Sequence, residues 1–229
     1  RKKYGIVWNE EKTKEKFDKE SEGKLPIPKE AKSKEIQTDN NSPTNILIEG
    51  DNYHALSVLN YTHAKRVDVI YIDPPYNTGK EFRYNDRLID LEDTYRHSKW
   101  LSFMKKRLVL ARKLLKNSGV IFISIDDNEQ ATLKILCDEI FGPENFIANI
   151  VWQKKYSPQN DAKYFSDMHD FILVYARKKN IGSEKNGWVR TLLPRTEEMN
   201  ARYRNYDDDP RGVWKTQCSS VKTYNKKLY

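Results

Sequence analysis

The chain has 229 residues, which is enough for one α/β domain with a buried core. Hydrophobic residues make up 38% and charged residues 32%, and no apolar run approaches the roughly 20 residues that a membrane span requires, so we expect no membrane partner. The net charge of +8 is concentrated in residues 151–229, which carry 16 basic and 9 acidic side chains, and this excess suits a polyphosphate partner as well as it suits solvated loops.

Residues 1–43 are predicted to form a charged N-terminal arm. Lys and Glu dominate this stretch, and Pro26 and Pro28 interrupt any long helix. A turn cluster of Asn, Ser and Pro at 40–43 ends the arm. The sequence opens without Met, so we expect a fragment or a trimmed chain.

From residue 44 the pattern changes to alternating strands and helices. In chain order the predicted elements are a strand at 46–48, a helix at 53–59, a strand at 67–72, a long helix that Asp93 caps and that ends before residue 117, a strand at 120–125, a helix that Asp126 or Asp127 caps and that ends at Phe141, and strands at 146–152 and 171–175. The apolar runs are continuous rather than alternating, which predicts an α/β fold with a mostly parallel sheet flanked by helices. Only a loop separates the last two strands, so we expect that pair to be antiparallel.

The four residues Asp73-Pro74-Pro75-Tyr76 follow directly on the predicted strand 67–72. They are therefore predicted to lie at the carboxyl end of a parallel strand, where open α/β sheets bind ligands. Two consecutive prolines fix φ and remove two amide donors, so the backbone is stiff there. An acidic side chain, rigid carbonyls and an aromatic ring are thus presented together.

This combination of groups suits methylation of an amine on a nucleobase. Such an amine is a poor nucleophile because its lone pair is delocalised into the ring. If Asp73 and the Pro74 carbonyl each accept one amine proton, the nitrogen becomes pyramidal and its lone pair can attack a methyl sulfonium. Tyr76 offers a face on which a flipped base can stack, which is worth roughly 1–3 kcal/mol and offsets part of the cost of extruding the base. The tetrapeptide by itself is equally typical of a turn that ends a strand. Its position directly after a hydrophobic strand favours the catalytic interpretation.

Other candidate residues are fewer. Lys154, Lys155 and Tyr156 follow the predicted strand 146–152 and are predicted to line a DNA cleft beside Tyr76. The four histidines lack metal-ligand spacing and are predicted to be surface or capping residues. Two cysteines make neither a disulfide framework nor a zinc site, so we expect no metal and a cytoplasmic location.

The segment 73–79, Asp-Pro-Pro-Tyr-Asn-Thr-Gly, resembles the catalytic motif of amino-group DNA methyltransferases. The surrounding sequence is similar to the modification (Mod) subunit of type III restriction–modification systems. The matching stretches are 3–8, 48–56, 95–101, 121–129, 136–142 and 209–214. The resemblance covers most of the chain and is densest from 46 to 177.

This resemblance implies a Rossmann-like fold dependent on S-adenosylmethionine and methylation of adenine N6 in double-stranded DNA, with the target base flipped out. It implies that the segment Asp73-Pro74-Pro75-Tyr76 holds the target amine and ring. Asp51 would lie near the cofactor together with Asp73, although capping of the helix at 53–59 explains Asp51 equally well. The family further implies a homodimer that pairs with a restriction (Res) subunit.

The implied organisation has three parts: the arm at 1–43, the catalytic half at 44–180, and a basic and aromatic segment at 181–229 that begins the target-recognition region. The family places a glycine-rich cofactor loop after the catalytic motif. None of the nine glycines in this sequence forms a Gly-x-Gly. We therefore expect the fold and the cofactor site to be incomplete in this chain, and the chain alone to be inactive.

Two other interpretations stay open at this point. Similar motifs occur in methyltransferases that act on RNA or on another amine, and the long match to the Mod subunits argues against that reading. The chain could also be a non-catalytic module that binds DNA or a partner, because its cofactor site is incomplete.

Overall fold

The structure, a computed structural model, describes residues 7, 27–36, 44–78, 95–157, 163–180, 186–205, 208, 210 and 212. Its helices and strands are α1 (Asn52–Thr62), β1 (Val67–Ile72), α2 (Arg96–Leu114), β2 (Leu115–Ile125), α3 (Gln130–Phe141), β3 (Phe146–Gln153), β4 (His169–Ala176) and α4 (Glu197–Ala201), with 3-10 turns at Lys32–Lys34 and Pro143–Asn145. Among the helices in these ranges, none has the length and apolar character that a membrane crossing needs.

The four strands form one sheet in the order β1-β2-β4-β3. β1 is parallel to β2, with Ile72 opposite Ile123. β4 is antiparallel to both of its neighbours, so that Phe171 lies opposite Ile125 of β2 and opposite Val151 of β3. The carboxyl ends of β1, β2 and β3 therefore share one edge of the sheet with the amino end of β4. We call this the carboxyl edge.

The predicted α/β class is confirmed, and so is the antiparallel pairing of the last two strands. The prediction of a mostly parallel sheet is wrong for the described strands, because only one of the three pairings is parallel. A parallel pairing requires a crossover that returns the chain to the opposite edge. β4 begins at the edge where β3 ends and lies between β3 and β2, so it runs against both.

The predicted strand at 46–48 is also wrong. This stretch is extended chain outside the sheet, and the side chain of Leu47 is 95% exposed. A strand persists through hydrogen bonds to a neighbour, and none of the described strands lies beside these residues. An apolar run in the sequence carries no information about whether such a neighbour exists.

The helix starts differ from their predicted caps. Asp93 lies outside the described residues, and α2 begins at Arg96. Neither Asp126 nor Asp127 caps α3, because Glu129 holds the position before Gln130. Asp126 instead accepts a hydrogen bond from the amide of Asn128, at 2.9 Å, and so closes a turn. Aspartates favour such turns as strongly as they favour helix caps.

The core lies between the sheet and the helices α2 and α3. Its fully buried members come from one face of each helix and from the central strands: Trp100, Leu101, Met104, Leu108, Leu115, Ile121, Ile123, Ile125, Leu133, Leu136, Phe141 and Tyr175. Each buried aliphatic side chain of this size stabilises the fold by about 1.5–3 kcal/mol. This packing fixes α2 against the sheet, and α2 in turn contacts the loop that follows β1.

The carboxyl end of α2 is closed by Arg177, which follows β4. Its Nη1 donates to the carbonyls of Arg112 and Leu115, at 2.9 and 2.5 Å. The last carbonyls of a helix have no partner within the helix, so a guanidinium there stabilises the helix end. Burial of this group lowers the pKa of Arg177.

The chain divides into two compact units, Arg1–Val189 and Arg190–Tyr229. In the second unit, Thr196 caps α4 by accepting from the amide of Met199 at 3.2 Å, and the Arg195 guanidinium lies 4.0 Å from the centre of the Tyr203 ring. The three-part organisation with boundaries after residues 43 and 180 stays a prediction.

Candidate active site at the carboxyl edge

The segment that follows β1 leaves the sheet at its carboxyl edge, as the sequence predicts for a ligand-binding position. The side chain of Asp73 is exposed, and the rings of the next three residues are partly buried. The ring of Tyr76 packs against the core. Asn77, which ends the turn, is only 5% exposed. The segment thus presents one acid to solvent and anchors its far end inside the protein.

The Tyr76 phenol and the Asp73 carboxylate interact as hydrogen-bond donor and acceptor, which contributes to the pKa of Tyr76. Burial raises the pKa of Tyr76 well above its ordinary value, and this hydrogen bond and the charge of Asp73 raise it further. A more distant contribution comes from Asp170 at the start of β4. Tyr76 therefore stays protonated and able to donate to the carboxylate.

The backbone of the same segment is held by α2. The indole Nε1 of Trp100 donates to the carbonyl of Pro75 at 2.6 Å, and Trp100 is 1% exposed. This contact satisfies the Pro75 carbonyl inside the protein. The acceptor that the sequence predicts for the target amine, the Pro74 carbonyl, lies one residue earlier and belongs to the same stiff backbone.

The far end of the segment is held by a buried acid. Asn77 Nδ2 donates to Glu129 Oε1 at 2.5 Å, and Nδ1 of His97 lies 2.6 Å from the same oxygen. Thr132 Oγ1 donates to the other oxygen of the carboxylate. Asn77 has a φ of +57°, a conformation that Asn tolerates better than most residues.

Asp51, predicted to lie near the cofactor, is the N-cap of α1. Its Oδ1 accepts from the amide of Tyr53 at 2.8 Å, and its Oδ2 lies 3.5 Å from Arg107 Nη2. Arg107 also donates through Nε to Asn52, at 2.5 Å. Arg107 lies two turns beyond Trp100 on α2, so Asp51 and the Pro75 carbonyl attach to the same face of that helix, roughly 10 Å apart along its axis.

The three residues predicted to line the DNA cleft follow β3 at the same edge. The ammonium of Lys154 lies 2.8 Å from Asp167 and 2.9 Å from Asp170. Burial alone would lower the pKa of Lys154, but the hydrogen bonds to both carboxylates raise it overall, and Lys154 lowers the pKa of Asp167. The charge of Lys154 is therefore balanced inside the protein, whereas the neighbouring Tyr156 is 99% exposed.

The structure shows four contacts that the sequence does not predict: those of Trp100, Arg107, His97 and Glu129. His97 was predicted as a surface or capping residue, yet it contacts a fully buried acid. One signal does exist, because Glu129 directly follows the predicted strand 120–125 and its turn, at the edge where the catalytic motif lies. In the described part of the chain, no group of three or more His, Cys, Asp or Glu is placed to hold a metal ion.

Comparison with known proteins gives a consistent picture. The family model that matches this chain is described as DNA methylase, of the N6 and N4 type, and it covers residues 67–229. The chain is 45% identical over 161 residues to the Mod subunit of the type III restriction–modification enzyme StyLTI from Salmonella typhimurium, a match that covers 61% of this chain and 25% of that subunit. It is 42% identical over 178 residues to the EcoPI Mod subunit from Escherichia phage P1, covering 67% of this chain and 28% of that subunit.

Among solved structures, the chain is similar to a DNA modification methylase from Thermus thermophilus, with a TM-score of 0.42 and 17% identity over 67% of this chain and 56% of that one. The chain spans about a quarter of the length of the two Mod subunits. Because the family model matches well over half of the chain and begins at β1, this chain belongs to the N6/N4 DNA methylase family.

Proposed function

We propose that this chain supplies the target-amine half of a DNA adenine N6-methyltransferase, as part of the modification subunit of a type III restriction–modification system. The subunit transfers a methyl group from S-adenosylmethionine to an adenine flipped out of double-stranded DNA. It works in the cytoplasm as a homodimer and pairs with a Res subunit. The resemblance to StyLTI and EcoPI Mod subunits supports this assignment.

The observation that carries the proposal is the fixed geometry of the segment after β1. Tyr76 directs the Asp73 carboxylate, and Trp100 anchors the Pro75 carbonyl at 2.6 Å. Two acceptors, Asp73 and the Pro74 carbonyl, can then take hydrogen bonds from both protons of the adenine amine. Positions fixed before the substrate arrives need no reorganisation during reaction, which is where such electrostatic stabilisation is most effective.

The chemistry that these residues perform is to prepare the amine. With both N–H bonds held, the nitrogen lone pair points away from the ring and forms the new N–C bond. One amine proton then leaves along the hydrogen bond to Asp73 and reaches solvent, to which that carboxylate is exposed. Bound S-adenosylmethionine would supply the electrophilic methyl group, whose bond to sulfur breaks as the N–C bond forms, so that a neutral thioether leaves.

Asp51, the residue predicted to lie near the cofactor, suits part of S-adenosylmethionine. Asp51 is held by the Tyr53 amide and by Arg107 while its side chain keeps 34% exposure, so one carboxylate edge faces outward. An acid in this position suits the ribose hydroxyls or the ammonium of S-adenosylmethionine. The 229 residues contain no Gly-x-Gly turn through which a backbone could approach the ligand closely.

The assignment predicts the modified base. Unmethylated DNA treated with the full-length protein and S-adenosylmethionine is expected to yield N6-methyladenine when it is digested to nucleosides and analysed by mass spectrometry. RNA of matching sequence is the control substrate and is expected to stay unmodified. N4-methylcytosine as the DNA product, or methylated RNA, would contradict the proposal.

A second prediction concerns the cofactor. The 229-residue chain alone is expected to bind S-adenosylmethionine weakly, because Asp51 and the segment after β1 form only one side of a site, whereas good sites bury about 70–90% of their ligand. Isothermal titration calorimetry should show little heat at ligand concentrations that saturate the full-length protein. Tight binding to the shorter chain would mean that these residues build a complete site by themselves.

A further inference from the structure

Glu129 is a fully buried acid at an unusual place, the N-cap position of α3. Rather than capping the backbone of that helix, its carboxylate contacts three side chains, those of Asn77, His97 and Thr132. Burying a carboxylate costs several kcal/mol unless its hydrogen bonds are replaced. A helix cap needs no such burial, so the arrangement calls for another explanation.

The direction of the hydrogen bond between His97 and Glu129 follows from the other partner of His97. The guanidinium of Arg96 lies 3.3 Å from Nε2 of His97. A guanidinium can only donate, so Nε2 accepts and the imidazole proton lies on Nδ1, which donates to Glu129. Asn77 and Thr132 also donate to the carboxylate. Three donors therefore converge on the Glu129 carboxylate.

Two of these donors belong to elements that flank the catalytic segment. Asn77 is the residue directly after Tyr76, and His97 lies in the first turn of α2, one turn before the Trp100 that binds the Pro75 carbonyl. Glu129 therefore connects Asn77, at the end of the segment, to α2. The same helix holds the Pro75 carbonyl in the middle of the segment. Because the two prolines fix φ, anchoring Asn77 and Pro75 leaves Tyr76 and the residues just before it little freedom.

We propose that Glu129 is a positioning residue for methyl transfer, which acts through Asn77 to fix Asp73 and Tyr76 in register with the target amine. This inference rests on the proposed function. Glu129 is fully buried, and its carboxylate contacts side chains of the protein rather than substrate. A displacement of about 1 Å at a reacting group costs on the order of 10²-fold in rate, which is the size of effect expected when the tie is cut.

The test compares variants of the full-length protein that remove different partners of the same carboxylate. Glu129→Gln replaces one accepting oxygen by a donor, and Asn77→Gly removes the donor on the segment while tolerating the positive φ. Each is expected to lower kcat by about 10²-fold, with the KM for S-adenosylmethionine little changed. The kcat of the double variant should be no lower than that of either single variant, because both substitutions remove the same hydrogen bond between Asn77 and Glu129.

Thr132→Val is the matched control. It removes a hydrogen bond to the same buried carboxylate, but Thr132 belongs to α3 rather than to the segment after β1. Its hydroxyl contacts both the carboxylate and the backbone carbonyl of Glu129. The fall in Tm of this variant is expected to be comparable to that of Asn77→Gly, while its kcat is expected to stay at the wild-type value. A kcat that falls in all variants in proportion to Tm would reduce Glu129 to a structural role, and so would an unaltered kcat in Glu129→Gln.

Hydrogen–deuterium exchange separates this inference from the proposed function, because it needs no turnover. The amides of residues 76–78 are expected to exchange at least about tenfold faster in Glu129→Gln and Asn77→Gly than in Thr132→Val, since local opening becomes easier. Equal exchange in all variants would overturn the positioning role. If exchange is faster in these variants but the wild-type protein does not methylate DNA, the positioning role of Glu129 stands. The methyltransferase assignment is then the part that is refuted.

Discussion

Replacing Asp73 with Ala in the full-length protein is expected to lower the methylation kcat by about 10²–10³-fold, the cost of removing one preorganised group that stabilises developing charge. In the proposed mechanism the carboxylate contacts the reacting amine, so kcat should fall more than the affinity for DNA or cofactor. Asp73 is exposed at the end of β1, so the fold should survive. Single-turnover kinetics together with thermal unfolding measure both effects.

Two controls isolate the carboxylate. Asp68→Ala removes another exposed acid from the same strand, one that pairs with Lys116 away from the carboxyl edge, and should keep the wild-type rate. Tyr76→Phe removes the hydrogen bond to Asp73 while keeping the acid and the ring, so its loss should be smaller, on the order of tenfold. Wild-type turnover by Asp73→Ala would refute the assigned role.

Trp100→Ala is expected to have the largest effect on stability, a loss of about 3–5 kcal/mol in the free energy of unfolding. The side chain is 1% exposed, and its removal leaves both a large cavity and an unsatisfied carbonyl at Pro75. Urea denaturation monitored by circular dichroism measures the change. A loss under about 1 kcal/mol would mean that the core around α2 closes over the gap.

Trp100→Phe tests the link from this helix to the chemistry. The ring is largely kept, but the 2.6 Å hydrogen bond to Pro75 is lost. We expect kcat to fall by about tenfold, equivalent to about 1.4 kcal/mol. Leu108→Ala is the control, because Leu108 is equally buried on α2 and belongs to the core rather than to the segment after β1. If Leu108→Ala lowers kcat equally, general softening of α2 explains the loss.

The elements that the sequence predicted well are those with long, regular patterns. The bounds of β1 are those predicted, and α2, α3, β3 and β4 were found within a few residues of theirs. In α2 and α3 the periodicity of apolar residues directly reflects burial against the core, whereas β1 and β3 were found from their apolar runs although much of each strand is exposed. The place of the segment Asp73-Pro74-Pro75-Tyr76 at the carboxyl edge was also predictable, because the segment directly follows the predicted strand 67–72.

What the sequence could not give depends on pairings between distant residues. The stretch at 46–48 has the composition of a strand but no partner among the described strands, and β4 reverses direction because of where β3 ends. The ties of the segment to Trp100 and Glu129 depend on how α2 and α3 pack on the sheet. A buried Glu and an exposed one look the same in a sequence.

The separation of these ties along the chain has a consequence for folding. Asn77 and Glu129 are 52 positions apart, whereas the contact between Lys154 and Asp170 spans 16. Closing a longer loop costs more chain entropy and tends to occur later. The hairpin of β3 and β4 should therefore form before the catalytic segment is fastened, so that during refolding the gain of strand signal precedes the gain of activity. A refolding intermediate would then carry the hairpin of β3 and β4 while Asn77 is still free of Glu129.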